Sequence, residues 1–396
     1  MDPASLAVAS LVWLGSTEIA AGRGERGPWQ MNESRYDYVD DPTVAIDERG
    51  GVVVAWVDQA RKDVYFWRKE GKSVNVSRSP ETFSWLPRVA TDAKGTIFVL
   101  WQEIIFSGGS HGGDILFARS EDGGKTFSQP ANLSSSVAGD GKGRIDKDRW
   151  HNGSLDLAVG ADGTVYTAWT EYEGRLWLRR STDGGKRFSE KLSIRTEKPA
   201  RAPSLAVHGK TAYLAWTVGD DPSADIRVAR SNDGGAAFAE PVIVEKTRAY
   251  SDAPKVAVDE KGIVHLVYSE GRRVRYTRST DGGVRFAPPR DIPGGDARYP
   301  ALSLDAKGNV YVLSERFPDG FAPRGLELAV SGDRGGGFRS IEVPESAGVG
   351  RNGSLQGLLM RKLAVSRDGG IAIVNSSFKE NERSRVWLIR GRLATD

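Results

Sequence analysis

Apolar and polar residues alternate along most of this chain in short runs separated by Gly, Asp and Pro. One fifteen-residue pattern recurs, close to P-x-V-A-V-D-x-x-G-x-V-Y-V-A-W. It stands at PTVAIDERGGVVVAW (42–56), PRVATDAKGTIFVLW (87–101), LDLAVGADGTVYTAW (155–169) and PSLAVHGKTAYLAW (203–216). It returns at PKVAVDEKGIVHLVY (254–268), PALSLDAKGNVYVLS (300–314) and RKLAVSRDGGIAIVN (361–375). Two β-rich runs around a Gly-containing turn predict a β-hairpin, and there are seven of them.

A second pattern, S-x-D-x-G-x-x-F, follows a strand-like run in five of these units. It reads SEDGGKTF (120–127), STDGGKRF (181–188), SNDGGAAF (231–238), STDGGVRF (279–286) and SGDRGGGF (331–338). The aspartates Asp122, Asp183, Asp233, Asp281 and Asp333 are separated by 61, 50, 48 and 52 residues. Four antiparallel strands at a period near fifty describe one propeller blade. The expected fold is all-β: a β-propeller of four-stranded antiparallel blades, seven favoured and six possible. The Asp in the tight turn accepts backbone N–H groups, the glycines take positive φ, and the aromatic packs beneath the hairpin. These aspartates are therefore read as structural. In blade 1 the third turn is degenerate (WRKEGKSV, 67–74), and blade 7 ends at RVWLIRGRL (385–393) without a fourth strand. An open edge needs a partner. PWQMNESR (28–35) resembles KSVNVSRS (72–79), so residues 28–34 are expected to close the ring. Residues 28–396 then form one propeller domain, and 1–27 a leader or signal-like segment.

In a meander, the turn within the hairpin and the Asp-box turn share one face. The other connections share the opposite, upper face. The long segments 104–114, 134–153, 316–324 and 344–360 all fall there, and loops on a rigid scaffold commonly carry function. The second strands end at Asp58, Glu103, Glu171, Glu270 and Glu315, and the first strands begin near Arg201, Asp252, Arg298 and Arg361. This predicts a ring of carboxylates and guanidiniums around the channel mouth, functional or simply paired with one another. Of four histidines, His265 reads as structural and His208 as a lower-face turn residue. His111 and His151 fall in upper loops, where they could share an acid–base site.

Composition narrows the chemistry. With no cysteine, disulfides, thiolate metal sites and a Cys nucleophile are excluded. The net charge of +3 is spread without basic blocks, so no nucleic-acid partner is expected. No run is long and apolar enough to span a membrane. SLAVASLVWLG (5–15) has the length of a signal-peptide core, followed by Ala20 and Ala21, although Asp2 replaces the usual basic residue. Export to a periplasmic or extracellular location is expected, as a monomer. No cofactor is expected. DGKGRIDKD (140–148) leaves room for a structural Ca2+, though its spacing does not match an EF-hand loop.

The Asp boxes resemble the bacterial neuraminidase repeats of the sialidase superfamily over roughly residues 40–393. The resemblance implies an arginine triad for a sugar carboxylate, a Tyr nucleophile paired with a Glu, and an Asp acid. Arg suits a carboxylate because its fork binds both oxygens. A neutral Tyr attacks an anionic sugar without charge repulsion. RAPSL (201–205) and RYPAL (298–302) are similar to the family's R-I-P motif, while DDPTVAID stands at the start of blade 1. Counterparts for the carboxylate site are Arg201 and Arg298, with Arg351 or Arg361. Tyr250 and Tyr299 are counterparts of the nucleophile near Glu270, and Tyr172 after Glu171 is a third option.

Three functions stay open. The first is a glycoside hydrolase of sialidase type acting on acidic glycans. The second is a lyase of uronic-acid polymers that uses His111, His151, Tyr172, Tyr250 and Arg201. The third is a non-catalytic propeller binding glycan or protein through Trp85, Trp150 and Phe106. The candidate catalytic set is Tyr250, Glu270, Glu171, His151 and Tyr299. The substrate-binding set is Arg201, Arg298, Arg351, Arg361, His111, Tyr172 and Trp150.

Overall fold

The structure is a computed structural model that describes residues 10–26, 36–69, 71–79, 82–107, 110–135, 155–171, 174–219, 223–246, 249–353 and 359–394. Seven antiparallel sheets form a ring, each a meander running from the axis outward. Blade 5 shows the plan: Ser251–Val258 is innermost, followed by Val264–Glu270, Arg273–Ser279 and Arg290–Asp291. Among the described residues no helix is long and apolar enough to cross a membrane.

Each hairpin repeat encodes both faces of its innermost strand. Val89, Leu205 and Val256 pack into the core shared with the preceding blade. Neighbouring positions face the following blade instead. Asp156 Oδ2 accepts from Leu205 N (2.8 Å), Ser204 Oγ from Val256 N (3.2 Å) and Ser303 Oγ from Val365 N (3.1 Å). The recurring alanine of the pattern lies in this second register. Ala45, Ala90, Ala158, Ala206, Ala257, Ser303 and Ala364 form a collar of small residues, which lets seven strands approach one axis. Trp101, Trp169 and Trp216 of the second strands fill the wedges between blades and are fully buried.

The five Asp boxes bolt blades 2 to 6 each to its predecessor. In the third box, Asp233 Oδ1 accepts from Ala236 N (3.0 Å) and Ala237 N (3.1 Å), and Ser231 Oγ accepts from Gly235 N (2.7 Å). Gly235 has φ +81°, and a Cβ there would meet the Tyr166 ring of the preceding blade at 2.8 Å. The box aromatics follow the same rule: Phe127 packs edge-on against Phe66, and Phe188 against Phe117.

The ring closes with an N-terminal strand, as expected, but that strand is Leu11–Gly22 rather than residues 28–34. It pairs antiparallel with Ser384–Leu393 from Leu11↔Leu393 to Gly22↔Ser384. Its twelve residues, with two register shifts, span all ten of the long third strand of blade 7, which local similarity to blade 1 does not register. Residues 27–35 lie outside the described residues. A second difference concerns 104–114, expected as a loop. It extends the hairpin of Ile97–Ser107 and Ser110–Ser120, with Phe106 paired to His111.

Candidate functional site

Five innermost strands carry the same irregularity at the upper mouth. A register shift interrupts the pairing beside Asp40, Trp85, Arg201, Asp252 and Arg298. The next residue, just before proline, takes left-handed φ: Asp41 +50°, Leu86 +54°, Ala202 +48°, Ala253 +54° and Tyr299 +54°. A bulge re-aims side chains, and positive φ is uncommon for a bulky residue such as tyrosine. The ring thus presents five bulged turns to the mouth, and the residues that flank them build the site.

Two of the expected residues, Arg201 and Tyr250, meet at Asp252. Its Oδ1 accepts from Arg201 Nε (3.2 Å) and Thr217 Oγ1 (2.9 Å), and its Oδ2 accepts from the Tyr250 hydroxyl (3.3 Å). The Arg201 guanidinium lies 4.9 Å from the centre of the Tyr250 ring. It also donates to Gly219 O, and its Nη2 has no hydrogen-bond partner among the described residues. Arg201 is 1% exposed and Tyr250 37%, so the tyrosine roofs a buried cation. Burial raises the Tyr250 phenol above its ordinary pKa, and the Asp252 charge adds to this. The Tyr299 phenol is raised by burial first and by Asp252 next. Its backbone N–H donates to Ser269 Oγ (2.8 Å), tying blade 6 to blade 5.

The other expected residues have separate partners. Arg298 grips Asp296 through Nε (3.0 Å) and Nη2 (2.9 Å) and stacks on Phe317. Arg351 stacks on Phe378 at 4.5 Å. Arg361 donates to Asp156 Oδ1 (2.7 Å). Glu270 faces Arg275 at 3.9 Å, and burial raises its carboxyl above the usual range. Glu171 accepts from Trp169 Nε1 (3.1 Å) and Lys191 Nζ (3.3 Å). The four arginines are held by four different sets of partners. Trp85, expected to be exposed, is half-buried edge-on against Phe83, with its indole nitrogen out of contact with solvent. His151, Tyr172, Trp150 and residues 140–148 lie outside the described residues, as do the side chains of His111 and Phe106. Among the described residues no cluster of His, Asp and Glu could hold a metal ion.

The expected carboxylate ring is paired. Asp58 is bound to Arg61, and Glu103 accepts from Trp101 Nε1 (2.8 Å), Ser84 Oγ (2.8 Å) and Thr82. Burial pushes the Glu103 carboxyl up to about 7. Glu315 differs in register from the others. It aligns with Ser269 and Thr217, faces the following blade, and holds Lys362 Nζ (2.5 Å) and Asn352 Nδ2 (2.6 Å).

Below the mouth the channel is crossed by charge. Arg361 of blade 7 and Arg88 of blade 2 flank Asp156 of blade 3, at 2.7 and 3.7 Å. Arg88 also donates to Leu359 O (3.3 Å) and contacts Met360 Sδ (3.0 Å). At the rim, Phe321 of blade 6 is 88% exposed. Its loop is pinned by Asp319, which accepts from Phe321 N and Ala322 N, and by Arg324 Nε donating to Gly350 O (3.0 Å).

The sequence places Asp252 only in the ring at the channel mouth and does not single out Thr217 or Phe321. Asp252 had a signal, because D-A-P stands at the bulge where R-A-P and R-Y-P stand in blades 4 and 6.

The family of BNR repeat-like domains matches residues 47–312. Among curated proteins none matches. Several solved structures share the fold. One is an ulvan-degrading polysaccharide lyase bound to a glucuronate–sulfated rhamnose chain, at 13% identity and TM-score 0.58, covering 88% of this chain and 93% of that one. Another is a protein of unknown function from Dyadobacter fermentans, at 14% identity and TM-score 0.54, covering 96% and 100%. A third is a Hadza microbial sialidase, at 14% identity and TM-score 0.53, covering 87% and 73%.

Proposed function

The chain belongs to the BNR repeat-like family, and from that premise we propose that it is a carbohydrate-active enzyme cleaving an acidic glycan at the upper mouth of blades 4 to 6. The observation that carries this reading is the trio Tyr250, Asp252 and Arg201. A nucleophile needs a base within reach, and the base needs an orienting group. Tyr250 supplies the hydroxyl, Asp252 accepts its proton, and Arg201 with Thr217 fixes the carboxylate. The raised phenol stays protonated at neutral pH, so Tyr250 is uncharged as an anionic sugar approaches. Attack transfers its proton to Asp252 as the glycosyl–tyrosine bond forms and the glycosidic bond breaks, the leaving oxygen taking a proton from water; a water then cleaves the glycosyl–tyrosine and the protons return to Tyr250 and solvent. Rotation of the Tyr250 ring would open Arg201 Nη2 to a sugar carboxylate, and Phe321 offers an apolar platform for a sugar face.

A second reading, β-elimination of a uronate polymer, is favoured by the dispersal of the arginines. One guanidinium suffices to neutralise a uronate, and the lyase of similar fold binds a glucuronate chain. Here Asp252 would take the proton from the carbon beside the uronate carboxylate, Tyr250 would protonate the leaving oxygen as the carbon–oxygen bond breaks, and the proton on Asp252 would then return to Tyr250.

The experiment separates the two. The protein is incubated with a fluorinated sialoside and, separately, with uronate polymers. Hydrolysis predicts an intact-mass adduct that maps to Tyr250 and is lost in Tyr250→Phe. Elimination predicts no adduct and a rise in the ultraviolet absorbance of unsaturated uronates. Neither signal on any acidic glycan would overturn both readings and leave a binding propeller.

A further inference from the structure

The lower half of the central channel is a cavity of about 370 Å³. Its walls are the last residues of all seven innermost strands, from Ile46 in blade 1 to Val365 in blade 7, so it opens on the Asp-box face. Each innermost strand is the terminal member of its sheet, so its inner edge faces this lumen, where Val44 N, Leu205 N, Val256 N and Val365 N donate to neighbouring blades. The collar of small residues lines it, rather than large side chains. Its inner end is different in kind: Lys255 and Arg361 both reach it.

The charge there does not balance. Arg361 shares Asp156 with Arg88. Lys255 adds a third cation to the same cluster and has no hydrogen bond or ion pair with any described residue. Burial comes first, and repulsion from Arg88 and Arg361 adds to it, in lowering the Lys255 ammonium to about 8. Asp156 and, less, Asp252 raise it only in part. A desolvated cation without a partner is costly, and the cluster is relieved by a ligand of opposite sign.

We propose that the lower channel is a binding site for a small multi-oxygen anion, held by Lys255 and Arg361. The class is phosphate, sulfate or a compact carboxylate. Its oxygens would meet the Lys255 ammonium and the outer edge of the Arg361 guanidinium. Lys255 belongs to blade 5, Arg361 to blade 7, Asp156 to blade 3 and Arg88 to blade 2. The anion therefore ties four blades together at the axis. The site lies on the face opposite Tyr250 and does not depend on the proposed function.

The test is calorimetric titration of the full chain with sodium phosphate, sulfate and acetate at constant ionic strength, paired with thermal unfolding. The expected result is saturable binding of at least one of the three, with a matching rise in Tm. Lys255→Met should weaken that binding by about tenfold or more, with Lys255→Arg restoring it and Tyr250→Phe leaving it unchanged. Crystals soaked in bromide should show an anomalous peak beside Lys255, a reading that does not depend on any variant folding. Absence of saturable binding by all three anions would overturn the proposal. So would unweakened binding by a folded Lys255→Met protein, or bromide found only elsewhere.

Discussion

The hydroxyl of Tyr250 donates to the carboxylate of Asp252, two residues further along the chain, at 3.3 Å. The tyrosine comes from the link between blades 4 and 5, and the aspartate from the bulged start of a strand. Arg201 of blade 4 locks them together, so the pair depends on the packing of two blades rather than on one loop.

This predicts a separation between activity and stability. Tyr250→Phe keeps the ring over Arg201 and removes only the hydroxyl. Turnover of an acidic glycan should fall by roughly 10²–10⁴-fold, the usual worth of a positioned proton-transfer group. Tm should change little, because the hydroxyl's hydrogen bond to Asp252 is long and the ring is partly exposed. Asp252→Asn should lose comparable activity and also stability, since Arg201 then faces no charge in a buried place. Steady-state kinetics and thermal unfolding of both variants check this.

Phe321→Ala should act on binding. The ring is exposed and packs on nothing that holds the fold. If it stacks on a sugar, KM should rise several-fold while kcat and Tm stay near wild type. An unchanged KM would remove Phe321 from the site.

Gly235→Ala tests the bolt between blades. The new Cβ must take φ +81° and enter the Tyr166 ring at 2.8 Å. The cost should be about 1–3 kcal/mol, read as a lowered urea midpoint. Gly234→Ala, with φ +70° and its nearest neighbour at 3.4 Å, pays the backbone strain without the clash and should cost less.

Local signals were legible in the sequence and partnerships across blades were not. The Asp boxes and hairpins show in the residues because their turns are satisfied within eight positions. Their arithmetic yields seven blades and the upper face. Arg201, Tyr250 and Tyr299 stand out for the same reason, through the R-A-P and Y-P motifs. Glu270 was expected beside the tyrosine because both sit at the upper face. One step of strand register decides otherwise: Ser269 turns towards Tyr299 of the next blade, and Glu270 turns to Arg275. Glu315, one register off, faces the next blade for the same reason. The closing strand was misplaced because similarity of motif says nothing about which segment can span Ser384–Leu393.

That closing strand gives a prediction of its own. Leu11–Gly22 covers the outer edge of Ser384–Leu393 along its whole length. Leu11 and Trp13 pack against the core between blades 6 and 7, and Ile19 and Ala20 against that between blades 7 and 1. A chain starting at residue 24 should expose a ten-residue edge, lower Tm and self-associate, as seen by light scattering. Adding the Leu11–Gly22 peptide in trans should restore part of the Tm.

Glu103 gives the pH dependence. Its carboxyl lies at about 7 in the folded protein because burial opposes its charge, against a model-peptide value near 4.5. The folded state thus binds the proton more tightly than the unfolded state. Its contribution to stability is complete below about pH 4.5 and is lost as pH rises through about 7. His265 works in the opposite direction. Burial lowers it to about 4, so its contribution is present above about pH 6.5 and lost as pH falls through about 4. Comparing wild type with Glu103→Gln cancels the histidine. The amide carries no charge to desolvate, so the variant should gain on wild type as pH rises from about 4.5 to about 8. The gain should be on the order of 1–3 kcal/mol, at about 1.4 kcal/mol per unit of pKa. Urea unfolding at a series of pH values measures it. A difference that stays flat across that range would mean Glu103 titrates as an ordinary carboxylate.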